Sequence, residues 1–165
     1  MERYVTEMAA RHRRGGVLVD TNLLLLFYVG SYERSLVERF PRTADRFVSE
    51  DFDTLNGVLA GFEKVVTTPY ILTETSNLLG QLGGRAKTGC FELFARSIPE
   101  LRENHISGAD LARKPTFVKL GITDTSIIEV AAAPYLVLTD DFRLYNYLAA
   151  RGVDVLNFNN LRSLG

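Results

Sequence analysis

Apolar residues gather in four short β-rich runs along the chain: "VLVD" (17–20), "KVVTTP" (64–69), "YLVLTD" (135–140) and "VDVLNF" (153–158). The first and third are apolar on consecutive positions, which predicts strands covered on both faces. Stretches of helical period separate and follow these runs. "TNLLLLFYVGS" leaves the first with Asn22 as candidate N-cap. "TPYILTETSNLLGQLGG" places Ile71, Leu72, Leu78, Leu79 and Leu82 on or near one helical face, with Gly83 and Gly84 as its stop. "FELFARSIPELREN" reads as helix with a break at Pro99. "ITDTSIIEVAAA" and "DFRLYNYLAARG" are helical too, the second with Gly152 at its C-terminal end. Ser31 to Phe62 is the least regular stretch and is expected to form one or two helices with a loop around "SEDFDTLNG". Strands alternating with helices over short links predict an α/β fold. The expected architecture is a single domain with a central parallel sheet of four to five strands and helices on both faces. Residues 17–165 form that domain, and 1–16 are an N-terminal extension.

Composition narrows the function classes. The chain has 165 residues, 46% hydrophobic and 24% charged, which argues against disorder and fibrous repeats. Its formal net charge is −1, so a nucleic-acid partner must be held by local basic clusters or metal ions and not by a basic field over the whole surface. Cys90 stands alone, which precludes an internal disulfide and fits a reducing compartment. With His12 and His105 as the only other soft ligands, a structural zinc site is not expected. The longest apolar run, Leu23 to Val29, falls well short of the roughly 18 residues that span a bilayer. "MERYVTEMAARHRRGG" lacks the apolar centre of a signal peptide, and a cytoplasmic location is the expectation.

The acidic residues carry the chemistry. A buried, unpaired carboxylate costs several kcal/mol or more, so Asp20 inside an apolar run must surface at a strand end or meet a cation. In open parallel sheets, ligands bind beyond the carboxyl ends of the strands. Asp20 closes the first strand there, and Asp140 with Asp141 closes the third. Glu74 lies in the first turns of the helix after "VVTTP", and Asp124 opens the helix leading into the third strand. Clustered carboxylates repel one another, and a divalent ion removes the conflict. An oxygen-only donor set selects Mg²⁺ or Mn²⁺, the usual ions of phosphoryl chemistry.

These pieces resemble a PIN-domain nuclease: "VLVDTNLLL", "TPYILTETSNLL", "LGITDTSIIEVA" and "YLVLTDDF" follow one another in that family's order over most of Val17 to Phe158. The resemblance implies that Asp20, Glu74, Asp124 and Asp141 form a catalytic, metal-binding quartet. Thr139 corresponds to the small hydroxyl residue two positions before the fourth acid, and Asn22 to the polar residue two after the first; Asp140 is the variable residue between Thr139 and Asp141. It further implies a metal-dependent endoribonuclease acting on single-stranded RNA, homodimeric, and of the toxin type that a cognate antitoxin holds inactive. The extension before the first strand and the long Ser31–Phe62 segment depart from many toxin-type members.

Taken singly, each residue also has a plainer reading. Asp20 and Asp124 are possible helix caps, Glu74 a first-turn acid, and Phe142, Tyr145 and Tyr147 packing residues with some capacity to stack on bases. The basic groups at 11–14, Arg85 with Lys87, and Arg113 with Lys114 are candidates for phosphate contact but singly read as solvated faces, and His12 and His105 read as surface residues. Competing functions are a catalytically inactive PIN-like RNA-binding module, a haloacid-dehalogenase-type phosphatase, for which Asn22 stands where a second Asp is required, and a receiver domain, for which "VDVLNFNN" supplies no lysine.

Overall fold

The computed structural model describes residues 2–162. Five parallel strands, β1 (Val17–Val19), β2 (Val65–Thr67), β3 (Arg102–Glu103), β4 (Leu136–Thr139) and β5 (Val155–Asn157), form one sheet in the order β3-β2-β1-β4-β5. Leu18 in β1 lies in register with Val66 on one side and Val137 on the other. Every residue of β1 and β4 is buried, which requires cover on both faces, and helices provide it. From β1 the chain steps outward to β2 and β3, then returns to lay β4 against the other side of β1. Strand order therefore reverses between β1 and β4, where open parallel sheets form a crevice.

The missing expectation on the sheet was β3. Arg102 and Glu103 are both exposed and carry no hydrophobic pattern, and the preceding sequence predicted helix through them. Helix α6 (Gly84–Ser97) instead gives way to a 3₁₀ turn (Ile98–Glu100) at Pro99, after which the backbone pairs with Val66 and Thr67. The Gly83–Gly84 pair likewise begins α6 and does not end the previous helix, α5 (Pro69–Leu79), which closes at Gly80.

Helix α1 (Glu2–His12) rests on the domain: Met8 is buried, and Asp154 accepts from Arg11 at 3.0 Å. His12, read as a surface residue, is buried, with its Nε2 2.7 Å from the Asp154 carboxylate. Helix α2 (Thr21–Tyr32) is buried along most of its length, and Asp20, not Asn22, is its N-cap, accepting from the Leu23 N–H at 3.3 Å. Gly30 lies so close to Phe52 that a Cβ there would sit 2.3 Å from the ring.

The irregular stretch resolves into a 3₁₀ turn (Arg34–Glu38), α3 (Pro41–Ala44) and α4 (Ser49–Leu59). "SEDFDTLNG" is thus helix and not loop. The cause is local: Asp51 accepts the Val48 N–H at 2.9 Å, Glu38 accepts the Ser49 N–H at 2.9 Å, and Phe52, Leu55 and Leu59 turn inward at helical spacing. Helices α7 (Gly108–Ala112), α8 (Phe117–Val130), α9 (Phe142–Ala149) and α10 (Phe158–Leu161) complete the order. Gly121 interrupts α8 with φ +83°, a backbone setting that favours glycine, so that residues 122–130 form a separate helical piece beginning beside the strand ends.

Candidate active site at the strand ends

Beyond the carboxyl ends of β1 and β4 lies a cleft of about 360 Å³ lined by Asp20, Glu74, Asp124 and Asp141, together with Thr21 and Asn22. The four carboxylates come from four places: the end of β1, the second turn of α5, the second half of α8 and the start of α9. Helix α5 enters the cleft at a fixed angle because Thr68 caps it at the Ile71 N–H and meets Ser126 of α8 at 3.0 Å. Ser126 spends its hydroxyl hydrogen on the Thr123 carbonyl, so Thr68 is the donor in that pair. One hydroxyl contact thereby fixes the helix carrying Glu74 to the helix carrying Asp124.

Asp20 is the most enclosed of the four, with 6% of its surface exposed. Its Oδ2 accepts the Thr139 hydroxyl and the Asp140 N–H, the latter at 3.2 Å. Burial and then the neighbouring Asp140 charge push its carboxyl up to about 7, against the opposing pull of those hydrogen bonds. Asp124 is pushed up to about 6 by burial, with the charges of Asp141 and Glu74 adding to the effect. That electrostatic coupling marks the three as neighbours across the cleft. Glu74 is exposed and accepts from the Thr21 hydroxyl at 3.1 Å. Asp141 caps α9 through Oδ1, which takes the N–H groups of Arg143 at 2.6 Å and Leu144 at 3.2 Å.

The two adjacent aspartates have separate surroundings. Asp141 lines the cleft, whereas Asp140 does not; its carboxylate is buried between Asn22 Nδ2 at 3.1 Å and Arg46 Nη1 at 3.0 Å. Thr139 connects Asp20 with Asp141, donating to the first and accepting the N–H of the second at 3.0 Å. Asn22 lines the cleft and holds Asp140. Sequence reasoning passed over Thr21 and Arg46. Thr21 was signalled only by its place directly after Asp20, and Arg46 sits in the segment whose pattern was least readable.

The donor set suits a hard divalent cation: four carboxylates line the cleft, no His or Cys does, and two of the four are made harder to ionise, first by burial and then by neighbouring carboxylates. Among the described residues, no three His, Cys, Asp or Glu side chains are grouped so as to hold an ion as they stand. Glu74 and Asp141 are exposed, which gives them rotamer freedom to close on one. Of the aromatic residues on α9, Phe142 is 55% exposed, while Tyr145 and Tyr147 are half-buried, and none of them lines the acidic cleft.

Compared with known proteins, the chain matches no family model, no curated protein and no solved structure. No helix among the described residues is long and apolar enough to cross a membrane.

Proposed function

We propose that this chain is a Mg²⁺- or Mn²⁺-dependent endoribonuclease of the PIN-domain type, hydrolysing phosphodiester bonds of single-stranded RNA. The observation that carries the reading is the gathering of Asp20, Glu74, Asp124 and Asp141, distant in sequence, around one cleft at the reversal of strand order. A divalent cation bound by these carboxylates supplies positive charge against the phosphodiester oxygens and acidifies a water for in-line attack. The chain's own groups do the rest. Asp20 is held rigidly by Thr139 and the Asp140 backbone, Thr21 orients Glu74, and the α9 cap fixes Asp141. Asp124, half-buried and with its carboxyl raised to about 6, would be favoured in its ionised form by a cation held in the cleft.

The test is cleavage of labelled single-stranded RNA by the purified chain with Mn²⁺ and with EDTA, beside Asp20→Asn and Asp141→Asn. Metal-dependent cleavage lost in both folded variants supports the reading. Cleavage unaffected by either substitution removes it, and binding without cleavage points to an inactive RNA-binding module. We further propose that the protein acts in the cytoplasm as the homodimeric toxin of a toxin–antitoxin pair. Expression in a bacterial host then arrests growth, and Asp20→Asn relieves the arrest; growth unimpaired by the unaltered chain argues instead for RNA processing.

A further inference from the structure

Leu120 lines the acidic cleft on one side and, on the other, a second cavity of about 240 Å³. This neighbour has the opposite character: Lys119, Arg143 and Arg151 line it, and no acidic residue does. Lys119 and Arg151 are exposed and form no ion pair among the described residues. The Arg151 guanidinium lies 3.5 Å from the centre of the Tyr147 ring, which stiffens it without neutralising it. Arg143 is steadied by donating to the Lys119 carbonyl. Thr116, which also lines the cavity, is buried, and its hydroxyl has no hydrogen-bond partner.

Lys119 and Arg151, without an ion-pair partner among the described residues, and Arg143, which also faces the Asp124 charge, form a local site for an anion on a chain whose formal net charge is −1. The acidic cleft repels a phosphate strand until a cation is bound, so affinity for the strand must come from outside it. We propose that the cavity formed by Lys119, Arg143, Arg151, Tyr147 and Thr116 binds backbone phosphates of a single-stranded RNA next to the bond held in the acidic cleft. The inference rests on the nuclease reading for the placing of the scissile bond, while the binding itself needs no cleavage. A strand long enough to occupy both cavities binds through both, and its affinity depends on salt.

The experiment measures binding of a 5′-labelled single-stranded oligouridylate of about 12 nucleotides to the full chain in EDTA, by fluorescence anisotropy over a salt series. The variants are Lys119→Ala with Arg151→Ala, and as control Arg85→Ala with Lys87→Ala, an exposed basic pair on α6 outside this cavity. Each lost phosphate contact flattens the log–log salt slope by about 0.7 for a single strand, so the double variant is expected to lose about 1.4 and to bind roughly tenfold more weakly at moderate salt. The control keeps slope and affinity, and thermal unfolding verifies that both variants fold. An unchanged slope in the Lys119/Arg151 variant overturns the proposal, as does absence of RNA binding by the unaltered chain. The two readings fail separately. RNA bound through these cations but not cleaved with Mn²⁺ removes the nuclease and leaves the phosphate site; cleavage with an unchanged salt slope removes the phosphate site and leaves the nuclease.

Discussion

The hydroxyl of Thr139 at the end of β4 donates to the carboxylate of Asp20 at the end of β1, tying the two central strands together where the acidic cleft opens. Both groups are buried, so neither has water as an alternative partner. Thr139→Val keeps the shape and leaves the Asp20 oxygen short of a donor, which costs about 1–3 kcal/mol. Because that hydrogen bond pulls the Asp20 carboxyl down, its loss lifts the carboxyl further. Thr139→Ser is expected to retain most of the stability. Urea midpoints of the three proteins check this, and a valine variant as stable as the parent means that the hydroxyl does not support Asp20.

Asp20 itself is a stability liability without a cation. At neutral pH the folded chain must either bury its charge beside Asp140 or hold a proton there. Asp20→Asn relieves that conflict and keeps an oxygen for the Leu23 N–H, though its amide NH2 can accept neither the Thr139 hydroxyl nor the Asp140 N–H, which offsets part of the gain. A net gain of about 1–3 kcal/mol is expected in EDTA near pH 7.5, read as a rise of several degrees in Tm. Mn²⁺ at a hundred times its Kd stabilises the unaltered chain by about 2.7 kcal/mol and the variant far less. Equal thermal shifts in both proteins would place ion binding away from Asp20.

Much of this arrangement was legible in the sequence, for reasons that differ by residue. The uninterrupted apolar runs of β1 and β4 read as strands covered on both faces, and in a parallel sheet their last residues share one edge; Asp20 and the Asp140–Asp141 pair followed from that, and the choice of Asp141 came from the family resemblance. Glu74 and Asp124 followed from helices entering or leaving the same edge. The strand β3 was hidden because two exposed edge residues need no apolar pattern. The helical state of "SEDFDTLNG" was hidden because its start depends on Glu38, 11 residues upstream of Ser49. Arg46 was invisible for a related reason: its partner Asp140 lies 94 residues away, and no local rule joins the two.

Raised carboxyls set the pH dependence of stability in the absence of a divalent ion. Asp20 and Asp124 give up protons near 3.8 when unfolded but hold them to about 7 and about 6 when folded. Folding therefore takes up protons in this window, and stability falls as pH rises from about 4 to about 7. Asp154 acts with the opposite sign: hydrogen bonding to His12 holds its carboxyl below the usual value, so its contribution is present above the unfolded value and is lost as pH falls through the folded one. Stability in EDTA is expected to peak near pH 4–5 and to decline toward pH 7, and saturating Mn²⁺ should remove the decline. Denaturant midpoints across this range check it; a flat profile in EDTA from pH 4.5 to pH 7.5 contradicts the stated carboxyl positions.

Arg46 and Asp140 form an unequal pair, the arginine side chain 53% exposed and the aspartate side chain 4% exposed. Removing the arginine leaves a buried charge whose remaining side-chain partner is Asn22, whereas removing the charge leaves the arginine in water. Arg46→Ala is therefore expected to cost about 1–3 kcal/mol, less than for a fully buried pair because half of Arg46 is solvated. Asp140→Asn should cost less than that. It keeps an acceptor for Asn22 and takes away the charge that raises Asp20, so it also makes Asp20 easier to ionise. Once Asp140 is neutral, Arg46→Ala should cost little more, and a double-mutant cycle on urea midpoints reads the coupling directly. Additive single losses would mean that Arg46 touches Asp140 without stabilising it. A coupling of about 1 kcal/mol or more makes the arginine of the irregular segment a support for Asp140, whose backbone N–H holds Asp20.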